Sequence, residues 1–304
     1  MNILVTGCNG FIAREYIKQY YTKHNFVGVD TVKHKNECYC IAEYIEDIRN
    51  YAKLEEIIRC HNIKCIIHTA AEKSLIRCEN NIALAREINF TATIELAALA
   101  EKYSAKFVFI SSDQVFDGSQ AYSEETDPTN PINYYGKLKT MAEAHLVNHN
   151  NCAICRTALV FGDIPEEQQQ YFSEIKSSDT LKVQGFIVQH VKYALENKQE
   201  IILPYDEFVS PTHVSLLAQQ IDSVISNDVT GILHCCGKDR ISRYDMGVCI
   251  ANLYGLDKRF IRYEKGTDPL RPKDVSLNCE RTEEKLHMSF LSFEEMLSRY
   301  VIKV

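Results

Sequence analysis

The sequence predicts a doubly wound α/β fold: a parallel sheet with helices on both faces, followed by a smaller C-terminal domain. Three observations predict it. An apolar, β-prone run opens the chain and passes straight into a glycine-rich turn and a helical pattern. Short apolar runs then alternate with amphipathic stretches as far as residue 161, as crossover connections require. The chain of 304 residues is long enough to bury a large core, as one large domain or two unequal ones.

Residues 1–6 (MNILVT) read as a buried parallel strand. Gly7 permits a tight turn, Gly10 a close backbone approach, and Ala13 close packing of the helix over residues 11–21. Such a turn, with Asn9, Phe11 and Ile12 beside the helix N-terminus, is a cradle for a pyrophosphate. The next strand, residues 26–29, ends at Asp30, about 20 residues on, where a dinucleotide site places its ribose-binding acid. That carboxylate accepts hydrogen bonds from both adenosine ribose hydroxyls and repels a 2′-phosphate. NAD is therefore the expected cofactor. NADP stays open because Lys33, His34 and Lys35 lie close by. Asp47 and Ile48 precede a helix over residues 51–60 and are placed to flank the adenine. A strand over residues 64–69 runs into Ala70 and Ala71, small enough for the backbone to pass close to the cofactor. A helix over residues 83–103 carries Asn89, a further cofactor candidate.

A strand over residues 107–110 ends at Ser111 and Ser112, a polar loop covers residues 118–131, and a helix runs over residues 135–149. Residues 153–161 are strand-like. The cofactor domain is thus expected over residues 1–160, with returning segments within about 186–235. The rest of residues 161–304 is expected to form a small, discontinuous substrate domain. There, residues 161–185 read as a lid or insertion, 185–197 as a helix, 201–203 as a short strand and 231–235 as a last strand. Ser210-Pro211-Thr212-His213-Val214 leads into a helix to about residue 225, and Ser242 caps a helix to residue 254.

Tyr135 and Lys139 are four residues apart, on one helix face. A phenol with a pKa near 10 is a poor acid–base group at neutral pH, and a nearby ammonium favours its phenolate. Ser112 lies 23 residues before Tyr135 at a strand's carboxyl end, where open α/β sheets bind ligands. Its hydroxyl can polarise a carbonyl that Tyr135 protonates. Ser111 is the rival, and strand alternation lets only one of the two face the site. Tyr254 and Lys258 share the spacing, but no Ser-bearing strand end precedes them, so they read as surface structure.

A net charge of −7 without a basic stripe argues against nucleic-acid binding. No apolar run approaches 18 residues and no signal-peptide pattern appears, so the expectation is a cytoplasmic protein without membrane partners. Twelve cysteines are scattered and read as reduced, mostly buried small hydrophobes. Cys152 and Cys155 have metal-like spacing but no second pair, and Cys38/Cys40 and Cys235/Cys236 also lack partners. His68, His213 and His234 read as core residues, and no metal is expected.

The run Ile110-Ser111-Ser112-Asp113-Gln114-Val115-Phe116-Asp117-Gly118 is followed by Pro131-Ile132-Asn133-Tyr134-Tyr135-Gly136-Lys137-Leu138-Lys139 and Glu143. With Arg156-Thr157, Asp206, Ser210-Pro211-Thr212, Leu270-Arg271-Pro272 and Ser276, it resembles the extended short-chain dehydrogenase/reductases with a Rossmann-type sheet. The nearest group is the dTDP-4-dehydrorhamnose reductases. The resemblance spans nearly the full length. It implies an NAD(P)-dependent oxidoreductase acting on a nucleotide-linked 4-keto-deoxysugar, with Ser112, Tyr135 and Lys139 catalytic, Ser111, Tyr135 and Lys139 also against the cofactor, and Ser112, Asp113, Val115, Phe116 and Arg271 against the substrate. Arg271 and Lys273 are the candidates for its diphosphate. It also implies a homodimer joined through residues 90–103 and 135–149.

The chain departs from the group's pattern at Ser112 (usually Thr), Gln114 (usually Tyr), Leu159 (usually Trp) and Val209 (often Gly), so the sugar or nucleotide can differ. A dehydratase needs Asp-Glu beside the Ser or Thr. Gln114 follows Asp113 here, and an amide cannot do that proton work. An epimerase on the same scaffold, and a non-catalytic nucleotide-binding regulatory subunit, are the alternatives to a reductase.

Overall fold

The computed structural model describes residues 1–33, 39–163 and 186–301; His34, Lys35, Cys38 and most of the expected lid lie outside them. The first half runs β1 (Asn2–Thr6), α1 (Phe11–Tyr20), β2 (Asn25–Asp30), β3 (Ala42–Ile45), α2 (Tyr51–Cys60), β4 (Cys65–His68), α3 (Leu75–Asn80), α4 (Ile82–Arg86), α5 (Ala92–Lys102), β5 (Lys106–Ser112), α6 (Tyr134–Leu146) and β6 (Cys152–Thr157). These strands and Gly231–His234 form one seven-stranded sheet in the order Gly231–His234, β6, β5, β4, β1, β2, β3. Every pairing in it is parallel.

The strands are apolar on both faces because both are covered. All seven residues of β5 are buried. On one face Ile3, Val5 and Val108 pack with Ala13 and Ile17 of α1 and with Leu217 and Ile221. On the other, Leu4, Ile66 and Phe109 pack with Leu54 of α2 and Leu96 of α5. Strand order reverses between β1 and β4, which places a crevice beyond their carboxyl ends. A third cluster lies under the helices Ile187–Glu196 and Arg243–Tyr254, which cover the parallel pair Ile201–Pro204 and Ile261–Glu264.

Two predicted elements are subdivided. The helix over residues 83–103 becomes α4, a π-helical turn Glu87–Thr91 and α5. Asn81 ends α3, and its side chain accepts from Leu84 N to cap α4. The strand over residues 153–161 breaks after Thr157, and Val160–Phe161 pairs instead with Thr212–His213. Eight of the eleven described cysteines are buried. No described helix is long and apolar enough to cross a membrane.

Candidate active site

A cavity of about 670 Å³ occupies the crevice at the strand-order reversal. Its floor is the turn after β1. Gly7 has φ 68°, and a Cβ there would lie 3.0 Å from the Ala70 backbone. Only glycine meets both demands without strain. Gly10 is the N-cap of α1 and offers no side-chain cap, so the first helical N–H groups stay open toward the cavity. Such an end favours an anion. Asp30, at the end of β2, holds this turn: its Oδ2 accepts from Asn9 N at 3.0 Å and its Oδ1 from Val32 N at 3.3 Å. The Asn9 amide donates to Val32 O at 2.6 Å and to Glu43 Oε1 at 2.9 Å. Gly7, Asn9, Gly10, Phe11, Ile12, Asp30, Asp47, Ile48, Ala70 and Ala71 all line the cavity. An ungated helix N-terminus, a carboxylate at the second strand and small residues after β4 together suit a dinucleotide.

The other wall is the end of β5 and the start of α6. Asn133 caps α6 by accepting from Gly136 N at 2.8 Å, which turns Tyr135 and Lys139 inward. Ser112 donates to Asp113 Oδ1 at 2.9 Å and accepts from Gln114 N at 3.2 Å. Ser111 donates instead to Glu143 Oε1, yet it lines the cavity together with Ser112, so strand alternation does not exclude either serine from the site. Lys139 is 3% exposed, donates to Ile110 O at 2.8 Å and lies 5.7 Å from the Tyr135 ring centroid.

The electrostatics depart from one expectation. The Tyr135 phenol is raised, not lowered, in the free site. Burial pushes that phenol up, the Asp113 carboxylate adds to the rise, and the Ser112 hydroxyl pulls weakly the other way. A phenol so placed holds its proton, which suits a donor. Burial pushes Asp113 up to about 6 against the hydrogen bonds from Ser112 and Gln114. Burial also brings Lys139 down to about 7, with Glu143 resisting.

Four named residues sit elsewhere. Asn89 does not line the cavity. Its amide clamps the Glu72 backbone, accepting from Glu72 N and donating to Glu72 O at 2.9 Å each, so it shapes the cavity wall from behind. Val115 and Phe116 turn into the core beneath the sheet end, because the short 3-10 turn at Asp113–Val115 reverses the chain there. Lys273 also stays out: its Nζ pairs with Asp206 Oδ2 at 3.1 Å and donates to Gly266 O at 2.5 Å. Arg271 does line the cavity. The partner that sequence reasoning missed is Arg243, directly after the capping Ser242 and across the chain from Arg271. Its only sequence signal is that place at a helix start beside a predicted cap. Burial and then Arg271 push the Arg243 guanidinium down, with the carboxylates of Glu207, at 3.4 Å, and Asp113 opposing. Arg271 also pairs with Asp268 Oδ2 at 3.1 Å, and two guanidiniums lining one cavity can meet an anion there. The Tyr254/Lys258 pair is remote: Tyr254 ends its helix with the Lys192 Nζ 4.8 Å from its ring centroid.

His68 is fully enclosed between Thr6 at 2.7 Å and Thr93 at 3.0 Å, and burial brings it down to about 3. It is a neutral core residue. No group of metal-ligating side chains is present among the described residues.

Comparison with known proteins places these features in a family. The model of the RmlD substrate binding domain family matches residues 1–304. The bovine methionine adenosyltransferase 2 subunit beta is 26% identical, covering 92% of this chain and 81% of its own length. The crystal structure of a dTDP-4-dehydrorhamnose reductase from Clostridium acetobutylicum is 27% identical, with a TM-score of 0.80 over 99% of this chain and 98% of that one. A dTDP-4-dehydrorhamnose reductase from Bacillus anthracis, crystallised in complex with NADP, shares the fold at 22% identity, with a TM-score of 0.83 over 100% of this chain and 98% of that one.

Proposed function

We propose that this chain, which belongs to the RmlD substrate binding domain family, is an NAD(P)H-dependent reductase of a nucleotide-linked 4-keto-deoxysugar. The observation that carries the reading is one cavity lined at one end by the glycine turn and Asp30, and at the other by Ser112, Tyr135, Lys139, Arg243 and Arg271. Gly7, Gly10 and the N-terminus of α1 hold the cofactor's pyrophosphate, and Asp30 meets the adenosine ribose. Bound NAD(P)H supplies the hydride. Ser112 orients and polarises the carbonyl, and Tyr135 gives its proton to the oxygen as negative charge develops there. Lys139 holds Tyr135's side of the cavity positive. Arg243 and Arg271 grip the diphosphate that joins sugar to nucleoside. Asp30 favours NADH, while the Bacillus anthracis neighbour carries NADP.

The likeness to the methionine adenosyltransferase beta subunit motivates a second reading, a non-catalytic nucleotide-binding regulatory subunit. The complete Ser112, Tyr135 and Lys139 set favours an enzyme. The compartment we propose is the cytoplasm, which keeps the buried thiols reduced. We propose a homodimer joined through the faces of α5 and α6, which sedimentation tests. The deciding experiment is stoichiometric oxidation of NADH, and separately NADPH, against a panel of nucleotide 4-keto-sugars. One cofactor consumed per sugar supports the reductase. Sugar conversion without net oxidation would make it an epimerase, and cofactor binding without conversion would favour the regulatory reading.

A further inference from the structure

One turn along α6 from Lys139 lies a buried charge that the reaction itself does not use. Glu143 follows Lys139 by one helical turn and Tyr135 by two, so the three share a face. It is 4% exposed. Its Oε1 accepts from Ser111 Oγ and from Arg156 Nε at 3.1 Å, and its Oε2 accepts from Arg156 Nη2 at 2.7 Å. Arg156 is paired directly across from Ser111 in the β5–β6 register and is itself 2% exposed. The guanidinium reaches further: Nη1 donates to Glu125 O at 3.4 Å and lies 3.4 Å from His234 Nε2, whose ring is anchored through Nδ1 to Asn278 O at 2.8 Å.

A buried ion pair is a weak source of stability, and an apolar pair of similar volume often replaces it without loss. Its presence one turn from Lys139 therefore points to a different role. Lys139 is enclosed by β5, which offers the Ile110 carbonyl and the Phe109 ring at 4.4 Å but no charge. The titratable groups that face it are Glu143 and Tyr135 from α6, Cys78 from α3 and His68 from β4. Burial keeps His68 neutral and the Cys78 and Tyr135 protons on. Glu143 is the anion of the set.

We propose that Glu143 is a positioning residue of this active site: clamped by Arg156, its carboxylate fixes Ser111 at the carboxyl end of β5 and keeps the Lys139 ammonium charged. Arg156 holds the carboxylate in place, and the Ser111 hydrogen bond transmits its position to the strand end that presents Ser112. Burial opposes the ammonium, and Glu143 offsets that opposition. The use made of that ammonium rests on the reductase reading; the charge relation itself does not.

The test separates the two. Lys139 is followed by NMR of lysine side chains in the full chain, assigned by the loss of its signal in Lys139→Arg. In Glu143→Gln the amide keeps shape and an acceptor for Ser111 but loses the charge. The Lys139 midpoint is expected to fall by about one pH unit, a tenfold loss of the ammonium at a fixed pH above the midpoint. Because a lone buried guanidinium can unfold the chain, the double variant Glu143→Gln/Arg156→Gln, with no unpaired charge, is measured as well and must shift in the same direction. An unmoved Lys139 midpoint in a folded variant overturns the proposal, whatever the substrate proves to be. With turnover in hand, the alkaline limb of kcat/KM must move with the titration. A uniform loss of rate at every pH with that limb unmoved would reduce Glu143 to a structural role and overturn it too.

Discussion

Gly136→Ala is the sharpest probe of how this site is assembled. Gly136 sits in the first turn of α6, between Tyr135 and Lys139, where the helix crosses the chain just after Ser112 and Asp113. A Cβ there would fall well inside contact distance of the Gln114 carbonyl oxygen, 3.0 Å from its carbonyl carbon and 2.9 Å from Pro131 Cβ. Both Gln114 atoms are backbone, so no rotamer change relieves them, and α6 must withdraw from the end of β5 by about 1 Å to restore ordinary packing. Overpacking of this kind costs about 1–3 kcal/mol. The better helix propensity of Ala returns about 1 kcal/mol. The net loss is therefore about 0–2 kcal/mol, a fall of a few degrees in Tm for a chain of this size. Catalysis should suffer far more, because the same withdrawal separates Tyr135 from Ser112, and a misplacement of about 1 Å costs about 100-fold in rate. The assay pairs a thermal melt with kcat at saturating cofactor. A variant that melts within a few degrees of the parent yet loses about two decades in kcat is the expected result. Unchanged kcat would refute the claim that α6 and the β5 end are held in register by this contact.

Other substitutions read other parts of the site. Tyr135→Phe should lower kcat by at least about 100-fold, the usual worth of a proton donor, while the NAD(P)H dissociation constant stays within a few-fold; undiminished turnover would remove Tyr135 from its role. Arg243→Gln should raise KM for a nucleotide sugar about tenfold or more, the value of one charge-assisted contact, with kcat changed less; an unaltered KM would move the diphosphate elsewhere. Asp113 has a folded-state pKa of about 6, above its ordinary value, so its neutral form is the one the fold prefers. Its burial therefore costs stability above about pH 6, and the cost fades as pH falls toward the unfolded value near 4. Asp113→Asn should thus melt above the parent at pH 7.5 and converge with it near pH 4, and a gap independent of pH would contradict the assignment. Finally, kcat/KM for reduction should decline as pH rises past about 7, where the buried Lys139 loses its proton; a profile flat to pH 9 would show that the free ammonium is not required.

The sequence by itself determined the parts of this protein whose causes are local. The run from β1 through Gly7 and Gly10 into α1 is legible because a positive φ and a close backbone approach admit little besides glycine. The pairing of Tyr135 with Lys139 is legible because helical periodicity alone puts them on one face. The buried strands of the sheet declare themselves by being apolar on both sides. Tertiary structure decided what depends on partners far along the chain. The family resemblance puts Val115 and Phe116 against the substrate, yet a 3-10 turn sends both into the core. Asn89 carries an amide suited to a cofactor, but the π-helical turn aims it at the Glu72 backbone. Lys273 is expected at the substrate and Arg243 is not: Asp206 and Gly266 hold Lys273 outside the cavity, while Ser242 starts the helix that brings Arg243 in. Burial and the Asp113 carboxylate raise the Tyr135 phenol, which helix spacing alone does not show. Sequence spacing fixes which groups share a helix face. Only packing sets how much water and which charges surround them, and that sets their chemistry.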